Sequence, residues 1–162
     1  MTLPLRQCAA SLVFDAHGEV LLVQQNYGAH RWGAPGGIVE VGETPMRAAI
    51  REAFEETGLE INLEKVIGIY LLQGGGWPDI LAHVFQATIM SGTPHIVNPD
   101  EIAAFTWCPV AEPPDEIVHD IEAALEDSRA QRYGVVRAVQ RKRVMTPFTL
   151  MLPYLTGVLG SG

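Results

Sequence analysis

Cysteine is scarce in this sequence: Cys8 and Cys108 are the only two in 162 residues. Both stand in apolar, strand-like runs, which predicts buried free thiols and excludes a disulfide framework or a thiolate metal pair. The N-terminal stretch "MTLPLRQCAASLVF" has no basic segment leading into an uninterrupted apolar run and no small-residue cleavage site, so a cytoplasmic location is expected. Long apolar runs are missing as well. The longest candidate, "VMTPFTLMLPYLTGVL", is broken by Pro147 and Pro153 and falls short of the roughly 20 residues a spanning helix needs. No internal repeat is present. With 48% apolar and 19% charged residues, the composition excludes a disordered or fibrous chain. The length suits one domain with a full core and an appendage.

Acids are also missing from one end. Residues 1–128 hold all nineteen acidic residues and five basic ones, a net charge of −14, whereas residues 129–162 hold six basic residues and no acid. The expected organisation is therefore an acidic domain over residues 1–128 and an extension over 129–162, basic and then apolar, docked on the domain or on a partner subunit of a homodimer. An acidic body disfavours general nucleic-acid binding, which needs Lys and Arg on phosphates. It suits a substrate that arrives with divalent cations.

The runs "RQCAASLVFD" and "GEVLLVQQ", separated by the turn signal "AHG", predict a β-hairpin. A loop, "NYGAHRWGAPGG", leads to a short strand "IVEV". Thr44 and Pro45 then mark an N-cap and a first helical position, and Gly58 marks the helix end. "KVIGIYLLQ" and "ILAHVFQATIM" predict a second strand pair around "GGGWPD", and "AAFTWCPV" one further strand. From Asp115 onward, Ile117, Ile121, Ala124 and Leu125 recur at helical spacing and predict an amphipathic helix.

The first helix is electrostatically awkward. At about 100° per residue, Glu55 and Glu56 lie about 60° and about 40° to either side of Glu52, so three carboxylates share one face. Like charges at i,i+4 cost about 0.2–0.5 kcal/mol, and acids in a last turn oppose the helix dipole by a further ~0.3–1 kcal/mol. Arg51 is the only local relief. Ala48 and Ala49, one turn earlier, leave clearance beside the acids. Met46, Ile50, Ala53, Phe54 and Thr57 are expected to bury against a sheet. Hard divalent cations take oxygen ligands, and would turn this repulsion into binding. Gly36 and Gly37 allow a backbone carbonyl to approach such an ion.

Residues 37–59 resemble the Nudix box: Gly37, Glu43, Arg51, Glu52, Ala53, Glu55, Glu56, Gly58 and Leu59 stand at its nine specified positions. Ala53 is the one departure, where the family has a larger aliphatic residue. The order of elements over about residues 6–127 is also similar to that family. The resemblance implies an α/β fold, an α/β/α sandwich around a mixed β-sheet. It further implies hydrolysis of the diphosphate linkage in a nucleoside diphosphate joined to another group. In this reading Glu52, Glu55, Glu56 and the Gly36 carbonyl hold Mg2+ or Mn2+, and Arg51 and Glu43 orient the cluster. The general base is Glu52 or Glu55, with Glu101 second. Candidate contacts to a small-molecule nucleotide are Arg31, Trp32, Trp77 and Asp79, an aromatic ring to stack on a base and an arginine to pair with a phosphate. Nucleoside triphosphates, ADP-ribose, nucleotide sugars and dinucleoside polyphosphates all remain open as substrates. Two alternatives stand beside this one: a non-hydrolytic nucleotide-binding regulator, and an RNA-processing pyrophosphohydrolase using the basic tail.

Overall fold

The structure, a computed structural model, describes residues 4–142. Within them run β1 (Arg6–Phe14), β2 (Val20–Gln25), β3 (Trp32–Gly33), β4 (Gly36–Ile38), α1 (Pro45–Thr57), β5 (Glu60–Gly74), β6 (Ile80–Ser91), β7 (Ile102–Cys108), α2 (His119–Arg129) and β8 (Val135–Arg141). The strands form one mixed sheet in the order β3-β2-β1-β6-β5-β8, with β4 added to β1 and β7 to β2. The β1–β6 and β5–β8 pairs are parallel, and the other pairs are antiparallel.

Side-chain alternation divides the core into two halves. Ala10, Leu12, Val20, Leu22 and Val84 point to the α2 side, where they meet Ile121, Ala124 and Leu125. Ala9, Val13, Leu21, Phe85 and Ala87 point to the α1 side, where they meet Ala48, Ala49 and Ala53. The result is the three-layer α/β/α sandwich that the resemblance implies.

The hairpin opens where function needs a gap. β1 and β2 pair at Phe14 and Val20, and beyond that point the chain from Gly33 to Gly36 passes between them, carrying Val23↔Gly33 on one side and Ala10↔Gly36 on the other. The expected strand "IVEV" lies slightly later than the observed β4, because pairing with Cys8, Ala9 and Ala10 of β1 selects Gly36–Ile38.

α1 begins and ends as its caps dictate: the Thr44 side chain accepts from Arg47 N–H, and Gly58 at φ 73° donates to Phe54 O at 2.8 Å. Its buried face differs from the expected one. Ala48, Ala49 and Ala53 are fully buried, whereas Met46, Ile50 and Phe54 are exposed. The alanines let the helix backbone lie close over the sheet, and that orientation turns the larger apolar residues to solvent. α2 starts four residues later than its periodicity suggests. Glu116 O accepts from Trp32 N–H at 3.0 Å and Val118 N–H donates to Trp32 O at 2.8 Å, so the segment through Ile117 is held extended against β3.

Part of the basic extension joins the sheet as β8, parallel to β5 from Gly68↔Val135 to Gly74↔Arg141. Its alternation places Arg137, Val139 and Arg141 on the α2 side. That register is pinned at Asp127, whose side chain is 1% exposed. The carboxylate accepts from Tyr70 Oη at 2.8 Å, Arg132 Nε at 2.9 Å and Arg137 Nε at 3.2 Å. The apolar stretch after residue 142, and with it the homodimer expectation, lies outside the described residues.

Candidate active site

The last turns of α1 face the gap between β1 and β2. Gly36 N–H donates to Glu56 Oε2 at 3.2 Å, which ties the turn to the helix. A Cβ at Gly37 would collide with the Glu52 carboxylate, and one at Gly36 with the Ala9 carbonyl and Ala10. Both positions therefore demand glycine for close approach. Across the gap, Asn26 N–H donates to Glu101 O at 2.8 Å and Asn26 Nδ2 donates to Pro99 O at 2.8 Å. These bonds hold Glu101 opposite the helix. A cavity of about 300 Å³ results, walled by Glu52, Glu56, Glu101, Tyr27 and the two glycines.

Arg51 organises the acids on the outer flank. Its Nε and Nη2 donate to the two oxygens of Glu43 at 2.8 and 3.0 Å, and Nη1 reaches Glu52 at 2.8 Å and Glu55 at 3.1 Å. The bidentate pairing holds the Glu43 carboxyl down at about 2. Glu55 is thereby drawn toward Arg51 and away from the cavity.

Glu56 is in the opposite situation. It is 8% exposed, and its one partner among the described residues is the Gly36 N–H. Burial, then the neighbouring charge of Glu52, push its pKa up to about 8; Glu101 and Glu55 add to this and the Gly36 bond partly offsets it. Burial also raises Glu52, against the pull of Arg51. The Tyr27 hydroxyl is raised by burial and by Glu56, Glu101 and Glu52. A buried carboxylate with too few donors is the donor set of a hard cation. Among the described residues no three acidic, imidazole or thiolate groups already form a complete metal cluster. Mg2+ needs none: it is held by one or two carboxylates together with waters and substrate phosphates. Glu52, Glu56 and Glu101 around one polar cavity fit that requirement.

A second cavity, of about 390 Å³, adjoins the first and shares Gln25, Tyr27, Gly33, Ala34, Gly36 and Gly37 with it. Apolar side chains such as Ala10, Leu72, Ile80 and Val118 form its walls, and Arg31, His119, Asp120 and Arg141 supply its polar groups.

Arg31 thus lines the cavity beside the acids. Trp32 instead packs against the core on the α2 side. The Trp77 ring is 70% exposed on the β5–β6 loop, and Asp79 accepts from Gln73 Nε2 at 3.3 Å; neither side chain lines the two cavities. His83 Nδ1 lies 3.2 Å from Cys8 O within the sheet. Tyr27, Gln25, Asp120 and Arg141 also line these cavities and belong to no sequence motif. The lone signal for Tyr27 was its place in a loop rich in glycine before the box; Arg141 lies about ninety residues from α1 and carried none.

A mixed sheet between two helices, with an acid-lined groove at the end of one of them, defines an α/β/α sandwich with a candidate site at that helix end. The chain matches the NUDIX domain over residues 4–127 and belongs to that family, the Nudix hydrolases that act on nucleoside diphosphate-linked substrates. As an enzyme it is a Nudix pyrophosphohydrolase. It is 28% identical over 151 residues to an RNA pyrophosphohydrolase of Roseobacter denitrificans, covering 78% of this chain and 92% of that one. It is 31% identical over 84 residues to a nucleoside triphosphate pyrophosphatase/Nudix hydrolase fusion protein of Bifidobacterium longum, covering 52% of this chain and 17% of that longer protein. Among solved structures it is similar to a MutT NUDIX hydrolase from Burkholderia pseudomallei, with a TM-score of 0.70, 29% identity, and 77% and 98% of the two chains covered. No helix among the described residues is long and apolar enough to cross a membrane.

Proposed function

We propose that this protein is a Mg2+- or Mn2+-dependent hydrolase that cleaves the diphosphate linkage of a small nucleoside diphosphate derivative. The diphosphate lies over Glu52, Glu56 and Glu101, and the nucleoside lies in the adjoining cavity. The observation that carries this reading is Glu56, a buried carboxyl beside other acids that has no cationic partner among the described residues.

A divalent cation bound there supplies charge neutralisation for the diphosphate oxygens and makes water more acidic. Glu56, Glu52 and the Gly36 carbonyl are the groups that hold it, with Glu55 available on release from Arg51. Arg51 and Glu43 fix the direction of the Glu52 carboxylate. Proton removal from the attacking water falls to Glu52 or Glu101, the carboxylates that line the cavity, rather than to Glu55, which does not line it. Catalysis in this arrangement is mainly positioning and charge compensation.

The likeness to an RNA pyrophosphohydrolase over nearly its whole length favours a second reading, removal of diphosphate from a 5′-triphosphate RNA end. The basic extension supports it less than its composition suggests, because Arg132 and Arg137 are committed to Asp127 and Glu126. One experiment separates the readings. Nucleoside triphosphates, ADP-ribose, nucleotide sugars, dinucleoside polyphosphates and 5′-triphosphate RNA are incubated with the protein and Mg2+ or Mn2+, and the products are identified. Cation-dependent release of a nucleoside monophosphate from a small nucleotide supports the main reading. Turnover of the RNA end alone replaces it with the second, and no turnover across the panel overturns both.

A further inference from the structure

Arg141 lies outside the stretch that matches the NUDIX domain, yet it lines the nucleoside-side cavity. How it gets there is a matter of strand parity. Arg137 Nη2 donates to Ala123 O at 3.3 Å and to Glu126 at 3.2 Å, its Nε reaches Asp127, and Val139 packs into the core. With residues 137 and 139 fixed on the α2 side, period-two alternation delivers residue 141 to that same side; a slip by one residue would turn it away.

The guanidinium is then oriented by the "GGGWP" loop. Arg141 Nη2 donates to Trp77 O and Pro78 O, both at 2.9 Å. Its Nε is buried without a partner among the described residues, as is the Nε of Arg31. A buried donor without an acceptor calls for a ligand atom or a water. Beside the two arginines stand His119 and Asp120, and a carboxyl there disfavours a second phosphate. Apolar walls, arginine donors and a carboxyl acceptor together fit a neutral, flat heterocycle with acceptor and donor edges.

Building on the proposed function, we propose that the C-terminal strand β8 completes the substrate site, with Arg141 donating to an acceptor atom of the nucleobase as a specificity-determining residue. The loop "GGGWP" acts through its carbonyls, holding that arginine, rather than through the Trp77 ring.

The test is calorimetric binding of AMP, GMP, CMP and UMP to the full chain in chelator, for the wild type, Arg141→Ala and Arg141→Lys, with circular dichroism confirming the fold. The wild type is expected to prefer one base. Loss of a hydrogen bond from a charged donor weakens that monophosphate by about tenfold or more in Arg141→Ala, and the preference among the four bases collapses. Arg141→Lys, which keeps the charge and loses the planar fork, is expected to retain affinity better than preference. Equal weakening of all four monophosphates with the preference intact overturns the proposal and reduces Arg141 to a support for its loop. Hydrolysis of nucleotides by a wild-type protein that binds no monophosphate overturns it also. Base-selective binding without any hydrolysis refutes the proposed function and leaves this inference standing.

Discussion

Two arginine–carboxylate networks hold this molecule, and they are balanced in opposite directions. At the end of α2, one carboxylate, Asp127, receives two arginines and a tyrosine hydroxyl. At the end of α1, one arginine, Arg51, is shared by Glu43, Glu52 and Glu55, and Glu56 behind them has a single backbone N–H. Buried carboxylates occur in both. In the first the chain supplies all the compensation, so the network fixes structure and clamps β8. In the second, Glu56 has no cation beside it among the described residues, and the proposed function rests on that deficit.

The largest effect that bears on this contrast is expected at Glu56. Glu56→Gln keeps size and removes the charge that attracts a cation, and turnover of the preferred nucleotide at saturating Mg2+ should fall by about 100-fold or more. Near-normal rates would dissolve the distinction between the networks. On the other side, the Arg132→Ala/Arg137→Ala double substitution strands Asp127 with Tyr70 alone. It should lower the unfolding free energy by roughly 3 kcal/mol in a denaturant titration, equally with and without Mg2+. Tyr70→Phe removes one bond to the same carboxylate and should cost about 1.5 kcal/mol in that titration.

The Glu56 pKa is raised from 4.5 to about 8 in the folded, metal-free protein, so the folded state holds that proton more tightly than the unfolded state. The associated stability is complete below about pH 4.5 and is lost as pH rises through about 8. In chelator, the melting temperature should therefore decline between pH 5 and 8.5, and Glu56→Gln should flatten that decline. Added Mg2+ should raise the melting temperature more at pH 8 than at pH 6, because binding displaces the proton. A decline that persists unchanged in Glu56→Gln would place its origin elsewhere.

Legibility from sequence followed the range of the interactions. Thr44, Pro45 and Gly58 act within a turn of themselves, and they marked both ends of α1 correctly. The shared face of the box acids follows from helical geometry alone; that Glu55 pairs with Arg51 while Glu52 and Glu56 line the cavity does not. The buried face of α1 departs from its amphipathic pattern because a helical wheel ranks Met46, Ile50 and Phe54 above three alanines. How closely a helix approaches its sheet is a tertiary property. The start of α2 depended on backbone pairing between Trp32 and the segment at Glu116–Val118, more than eighty residues apart in the chain, and no local signal reports such a bond. The role of Arg137 was hidden for the same reason. Composition showed a basic extension, but not that Asp127 was its partner.

The alanine face of α1 has a consequence for how the protein comes to exist. Taken alone, this segment has its most hydrophobic side chains on the face that ends in water, and carboxylates on the flank that ends beside the sheet. At 13 residues it is also near the length where isolated helices are marginal. Nothing in it can recruit the sheet; the sheet must recruit it. The strands β1, β5 and β6 are therefore expected to assemble first and α1 to settle onto them afterwards, with its amides exchanging hydrogen well before those of β5 and β6. On that expectation α1 is the last layer laid down and the first to lift, and a cation held as proposed would fasten it to the sheet.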